Sequence, residues 1–380
     1  MNIGVITTSR ADFGIYLPLL KALDKDSAFK VGLYVGGQHL LESQGYTIEA
    51  VRASGISILG TFDGIDREND AAAISRSIGG AAREMAITFE RAPSNFVFCL
   101  GDRFEMFAAV SALVPFQVPL GHLHGGERTD GAVDERFRHA ISKLSDYHFV
   151  STAAYKERVC QLGEDPNSVF VVGALSLDDI HEYTRDLEEV NQATGLNLQK
   201  PPFLVTFHPE TNDSRSPTEQ IAPLLSVLAQ KEGPFLLTEP NMDAGSRGVS
   251  TLIHSFVEQH ASAYHYKSLG KANYFSLLRL SPGVIGNSSS GILEAASFHC
   301  PALNIGERQA GRIAPANVIH VVNEASSIEK GFKSLTAPDF ILRCQSVKSP
   351  YGDGQAAAKI ISALHSLPAY NPTKRFHDLP

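Results

Sequence analysis

Residues 96–105 read Phe-Val-Phe-Cys-Leu-Gly-Asp-Arg-Phe-Glu. Five apolar side chains in a row, Phe96 to Leu100, suit a strand covered on both faces, because a strand wet on one face alternates apolar with polar residues. Gly101, Asp102 and Arg103 then interrupt the run where helical spacing begins, so the stretch reads as strand, short turn and helix. The unit recurs. Strands are expected near Asn2–Thr7, Val31–Val35, Val118–Gly121, Tyr147–Val150 and Val169–Val172, and again near Phe203–Phe207, Phe235–Leu237, Gly283–Ile285, Ala302–Ile305 and Val318–Val322. Helical periodicity between them is the rhythm of parallel α/β sheets covered on both faces. The expected architecture is two such domains, 1–183 and 203–353, with a cleft between them. They are divided by the charged segment Thr184–Pro202, whose closing Pro201-Pro202 fits neither a helix interior nor a central strand. In 354–380, a helix carrying Ala357, Ile360, Ile361 and Leu364 is expected to pack back on the first domain, ahead of a frayed tail at Asn371–Pro380.

The 380 residues are 43% hydrophobic, and 33 basic against 41 acidic residues leave a net charge of −8 with no basic run, which disfavours a nucleic-acid groove. No uncharged apolar stretch approaches the roughly 18 residues that would cross a bilayer. The first residues enter an apolar run with no basic n-region, so they read as a strand and not a secretion signal, and a cytoplasmic protein is expected. Cys99, Cys160, Cys300 and Cys344 are scattered without a CxxC pair, so neither a disulfide framework nor structural zinc is expected. GxGxxG and Walker motifs are lacking as well, and no cofactor is expected.

Open parallel sheets bind ligands at the carboxyl ends of their strands. The first such loop, Thr7–Gly14, offers N–H groups, hydroxyls and Arg10 to a diphosphate, ahead of a helix expected to begin near Ile15; otherwise it is a capped helix with Arg10 on the surface. In the second, Asp102 either caps a helix with Glu105 or joins Arg103 in facing a ligand. The third, His122–Glu135, sets His122 and His124 at i, i+2, where an extended segment points both to one side, and adds Gly125, Gly126, Glu127 and Asp134. Such a density of titratable groups suits acid–base chemistry. Its carboxylate spacing matches no familiar metal-ligand set, and no metal is expected. Asp134 stands where a helix begins and serves either that start or the chemistry. In the second half, His208 closes a strand as either a buried imidazole or an anion or base contact, and Asn241 lies in the next strand-end loop. Ser288, Ser289 and Ser290 form a hydroxyl-rich turn before a helix, a phosphate cradle without lysine, with Glu294 placed for a ribose diol and Arg308 and Arg312 for phosphates.

Taken together, TTSRADFG, GDRFE, HLHGGE with DERFRHAISKL, EPNMDAGSR, and GNSSSGILEA with NIGERQAGR resemble the hydrolysing UDP-N-acetylglucosamine 2-epimerases of sialic-acid and legionaminic-acid pathways, in order from about residue 3 to residue 365. The resemblance implies a glycosyltransferase-B fold with two Rossmann-like domains, UDP held mainly by the second and the sugar facing the first. It implies elimination of UDP to a 2-acetamidoglucal, followed by addition of water to give the free sugar inverted at C2. It assigns catalysis to Asp102 and Asp134, and nucleotide contacts to Arg10, His208, Ser289, Ser290, Glu294 and Arg312; Arg103, Asn241 and Ser288 join these as candidate contacts. Where several members carry a catalytic Glu, this chain has His124, so either His124 takes that role or Glu127 supplies the carboxylate. The expected partner is a UDP-sugar, either UDP-N-acetylglucosamine or the 2,4-diacetamido-2,4,6-trideoxy analogue, in a homo-oligomer, dimer or tetramer. A glycosyltransferase of the same fold would need an acceptor, and a nucleotide-sugar sensor would need no cluster of acids.

Overall fold

The structure, a computed structural model, describes residues 1–42, 45–66, 68, 70–130, 133–210, 213–240 and 246–378. The chain forms two compact units, one of residues 1–127, 133–178 and 351–380, the other of 128–132 and 179–350. In the first unit β1 (Asn2–Thr7), β2 (Lys30–Gly36), β3 (Ile58–Phe62), β4 (Phe96–Leu100), β5 (Leu120–Leu123), β6 (Tyr147–Val150) and β7 (Val169–Val171) form a parallel sheet in the order β3-β2-β1-β4-β5-β6-β7. Ile3, Val5, Phe96 and Phe98 pack on one face with the helices Arg10–Lys25 and Ala356–Ser366. Ile6, Val97 and Cys99 pack on the other with the helices Ala71–Arg91 and Phe104–Leu113. Both faces are thus dry, which is why 96–100 carries no polar residue.

In the second unit β8 (Phe203–Thr206), β9 (Phe235–Thr238), β10 (Ala263–Tyr266), β11 (Val284–Gly286), β12 (Ala302–Ile305) and β13 (Val318–Val321) are parallel in the order β10-β9-β8-β11-β12-β13. This is the doubly wound order of a Rossmann-type domain, and the chain has the glycosyltransferase-B fold class. Strands β3 and β10 escape a reading by apolar runs. Each lies at a sheet edge, is partly exposed along most of its length, and carries Gly60 and Thr61 or His265 where a buried strand would carry branched apolar residues. The segment Thr184–Pro202 is tied to the second unit, where Arg279 donates to the carbonyls of Thr184 and Arg185 at 3.0 and 3.1 Å.

The tail does not fray as expected. His377 N–H donates to the Gly163 carbonyl at 2.9 Å, and Lys374 reaches Glu164 at 2.7 Å. Glu164 also receives Lys143 at 2.6 Å and His148 at 3.0 Å. Burial opposes the Glu164 charge, yet His148, Lys143 and Lys374 outweigh it and hold the carboxyl down at about 2. A polar decapeptide gives no sign of this in sequence because the anchor is a buried carboxylate elsewhere. A depressed carboxyl stabilises the fold above its unfolded value and loses that contribution as pH falls. Glu164→Gln is therefore expected to cost about 2–3 kcal/mol at pH 7 in urea unfolding, with the difference from the parent shrinking as pH drops from about 4.5 toward 2.

Candidate active site

The strand order of the first sheet reverses between β1 and β4, the place where the loops leaving two neighbouring strands part and open a crevice. Ser9 caps the helix after β1, which starts at Arg10 and not near Ile15. The Asp12 carboxylate accepts the N–H groups of Thr8 and Ser9, each at 2.7 Å, and the Thr8 hydroxyl at 3.0 Å. The amides expected to meet a diphosphate are thus taken by a side-chain anion, and Arg10 stands exposed at the first helical position.

Beyond β4, Asp102 does not cap the following helix. The cap position is Arg103, and no side chain supplies a capping bond. Arg103 instead grips Glu105, which is 1% exposed, at 3.2 and 2.9 Å. Burial disfavours the guanidinium charge, and Glu105 with the more distant Asp12 and Asp134 restores it. Asp102 pairs with Arg138. Arg138, itself 1% exposed, donates further to Glu135 at 2.5 Å and to the Glu127 carbonyl at 3.2 Å. Asp134 opens the helix Asp134–Leu144 that carries both Glu135 and Arg138. Burial, then the charge of Asp102, push the Asp134 carboxyl up to about 6 against the pull of Arg103 and Arg138. Two neighbouring carboxyls thus sit in different settings, one against a guanidinium and one holding its proton to near neutrality.

His122 and His124 do not work as a pair. In β5 the His122 ring is fully buried, donating from Nε2 to the Gly101 carbonyl at 2.8 Å and accepting the Ser142 hydroxyl on Nδ1 at 3.0 Å. Burial pushes this imidazole down to about 3, and with both nitrogens engaged it is a strut between chain segments rather than a metal ligand. The strand ends at Leu123, and His124 turns to φ +63°, so the alternation that would align it with His122 is lost. Its Nδ1 lies 2.7 Å from Oε1 of Glu127, while its buried Nε2 has no hydrogen-bond partner among the described residues. The Ser151 hydroxyl also reaches that Glu127 oxygen at 3.4 Å. Gly126 makes the turn possible: it sits at φ +73°, and a Cβ there would stand 2.5 Å from the Tyr155 carbonyl oxygen.

The second sheet reverses between β8 and β11, and Asn287 holds the two strand ends together. Its side chain accepts the His208 N–H at 2.7 Å and donates to the His208 carbonyl at 2.8 Å, while its own carbonyl accepts Gln309 at 3.0 Å and Arg308 at 3.3 Å. The approach demands glycine at 286, since a Cβ there would lie 1.9 Å from the Thr206 carbonyl oxygen. Burial, then the Arg308 charge, push His208 down to about 3, so the neutral imidazole is favoured there over the cation. Ser288 and Ser289 precede a short helix, Ser290–Leu293, and Glu294 stands at its joint with a 3-10 turn, Ala295–Phe298, instead of one turn inside a helix. Tyr274 lies by Ser290 and Glu294, its phenol pushed up by burial. Arg312 lines a cavity of about 410 Å³ with Asn304, Gln309 and His320. Asn241 lies outside the described residues.

The sequence singled out the acids and serines but gave no role to Asn287, Asp12 or the Arg138 pairing. Asn287 follows a strand-end glycine and precedes three serines, which marked the loop but not which side chain would brace it.

A family model described as UDP-N-acetylglucosamine 2-epimerase matches residues 21–365. The chain is similar to a UDP-N,N'-diacetylbacillosamine 2-epimerase (hydrolyzing) of Legionella pneumophila, 34% identical over 96% of both chains. It is also similar to polysialic acid biosynthesis protein P7 of Escherichia coli, 33% identical over 99% of this chain and 97% of the other. Among solved structures, that of a UDP-GlcNAc 2-epimerase from Neisseria meningitidis bound to UDP-GlcNAc superposes with a TM-score of 0.81 at 19% identity, covering 97% and 100% of the two chains.

A carboxyl raised to about 6 in the fold destabilises it progressively as pH rises from the ordinary 3.8 through that value, in full above it and not at all below 3.8. Asp134→Asn is therefore expected to be more stable than the parent at pH 8, by up to about 3 kcal/mol, and equal to it near pH 4. Urea unfolding at both pH values checks the sign.

Proposed function

Since the chain belongs to the UDP-N-acetylglucosamine 2-epimerase family, we propose that it converts a UDP-2-acetamido sugar and water into UDP and the free sugar inverted at C2. The substrate of this reading is UDP-2,4-diacetamido-2,4,6-trideoxyglucose, with UDP-N-acetylglucosamine as the second candidate. The hydrolysing diacetylbacillosamine relative supports the first choice. The reading places the enzyme in the cytoplasm, in the synthesis of a sialic-acid-like sugar such as legionaminic acid. No helix among the described residues is long and apolar enough to cross a membrane, and all four cysteines are free. It also takes the enzyme as a homo-oligomer, dimer or tetramer.

The observation that carries the proposal is the acid–base cluster of the first unit, where a buried His124–Glu127 pair accompanies Asp102 and Asp134. The C2 hydrogen is weakly acidic, so its removal has to accompany loss of the diphosphate. Glu127 accepts Nδ1–H of His124 and leaves the Nε2 lone pair to take the C2 proton, which makes Glu127 a positioning residue. The C1–O bond breaks, its electrons leave with UDP, and a C1=C2 double bond forms. Water then adds its oxygen to C1 and gives up one proton to the neighbouring carboxylates, which replaces the one that C2 takes in the same step. Inversion requires a proton delivered to the opposite face of C2, and Asp134, whose carboxyl is raised to about 6, is proposed to supply it from its protonated fraction, with Asp102 held beside it by Arg138. Arg10 and Arg103 face the substrate from this unit.

The second unit is proposed to hold UDP. Ser288, Ser289 and Ser290 would donate to phosphate oxygens, neutral His208 would donate one hydrogen bond, Glu294 would accept the ribose diol, and Arg312 would offset the diphosphate charge. Asn241 is kept as a contact on sequence grounds.

Incubation of the chelator-treated enzyme with either UDP-sugar and no acceptor is expected to release UDP and a free manno-configured sugar at unreduced kcat. A requirement for an acceptor would favour the glycosyltransferase reading, and closure on UDP-sugar without turnover the sensor. His124→Asn is expected to lower kcat at least about 100-fold while leaving UDP binding intact. Ser289→Ala with Ser290→Ala should weaken UDP binding by about 1–3 kcal/mol in calorimetric titration; an unchanged affinity would reduce these serines to the start of a helix.

A further inference from the structure

Away from the acid–base cluster, the second unit brings three ligating side chains together from three elements. Glu239 follows directly on β9, His265 lies on the edge strand β10, and His254 projects from the helix Ser246–Gln259. Nε2 of His254 lies 2.9 Å from Oε1 of Glu239, and Nε2 of His265 lies 3.0 Å from the same oxygen. All three atoms are within 4.8 Å of one another, and the imidazoles meet edge to face with centroids 4.4 Å apart. Parallel pairing of His265 with Leu237 sets the imidazole beside the end of β9, and the Ser250 hydroxyl steadies the carboxylate from the helix.

A plain hydrogen-bonded cluster explains this poorly. Among the described residues, the buried Nε2 of His265 makes no well-aligned hydrogen bond, although the Glu239 oxygen stands 3.0 Å away. The ring nitrogen is near Glu239 without being aimed at it. Buried polar atoms are seldom left this way, and a nitrogen whose in-plane direction passes beside its neighbour suits a shared point between them. The spacing fits too. For bonds of about 2.1 Å, adjacent ligand atoms lie about 3.0 Å apart around an octahedral ion and about 3.4 Å around a tetrahedral one.

We propose that Glu239, His254 and His265 bind one divalent transition-metal cation through Oε1 and the two Nε2 atoms. Two imidazoles and one carboxylate on one side of the ion leave its remaining positions to water, the ligand set of Fe²⁺, Co²⁺, Ni²⁺ or Zn²⁺ rather than Ca²⁺ or Mg²⁺. The ion would join the end of β9, the edge strand β10 and the helix Ser246–Gln259. Its role is structural and independent of the acid–base chemistry, which draws on other residues.

The test uses the tag-free full chain, stripped with chelator, dialysed and titrated with Ni²⁺ and, separately, Co²⁺, in a calorimeter and by the visible absorption of bound Co²⁺. One equivalent is expected to bind and to raise the thermal midpoint. His254→Gln, His265→Gln and Glu239→Gln should each weaken binding at least about tenfold, the smaller end of effects seen even for residues behind the ligands. His254 is half exposed on its helix, so His254→Gln keeps the fold, as circular dichroism would verify. Absence of binding up to millimolar metal, or binding with the same affinity in all three variants, would overturn the proposal and leave the cluster an ion-paired contact.

Discussion

Arg138 is a buried guanidinium, and a buried guanidinium is tolerable only where acceptors surround it. It meets Asp102 from the end of β4, Glu135 from its own helix and the Glu127 carbonyl from the loop after β5. Removing any one of these leaves a charge or a donor stranded in a dry interior. The requirement therefore fixes the end of β4, the loop after β5 and the helix Asp134–Leu144 relative to one another, and with them Asp134, His124 and Arg103. Asp134 is shifted as a consequence. Next to Asp102 and shielded from water, it keeps its proton to about pH 6.

A second constraint of the same kind operates in the other unit with a neutral group. Asn287 satisfies both backbone groups of His208 and presents its own carbonyl to Arg308 and Gln309, which is possible only because Gly286 lets β11 approach Thr206. The second sheet thus has a neutral polar hub at its strand-order reversal, and the first a charged one beside the ends of β4 and β5. In the proposed reaction the nucleotide would be met in the second unit by neutral donors backed by arginine, while the first would provide the titratable groups.

Much of the fold was legible because its determinants are local. Runs such as Phe96–Leu100 and Phe203–Phe207 declare strands dry on both faces, and the double proline at 201–202 ends an element wherever it stands. Edge strands β3 and β10 were not legible, since an edge needs no continuous apolar run. The loops of the candidate site could be read from residue type at strand ends, yet the pairing within them could not. Asp102 with Glu105 satisfies the pattern of a helix cap, and only the distant Arg138 and the neighbouring Arg103 show that each carboxylate is engaged otherwise. His122 and His124 look equivalent by alternation until the left-handed turn at His124 separates a strut from a group with an open nitrogen. The tail was misread for the same reason, because its anchor Glu164 lies 210 residues away from Lys374.

The proposed reaction requires the C2–H bond to break during turnover. Running the reaction to completion in D2O with UDP-2,4-diacetamido-2,4,6-trideoxyglucose and examining C2 of the free sugar by proton NMR decides it. Loss of the C2 proton signal through deuterium incorporation, with inverted configuration, is the predicted result. Release of UDP together with a sugar that keeps its hydrogen at C2 would contradict it.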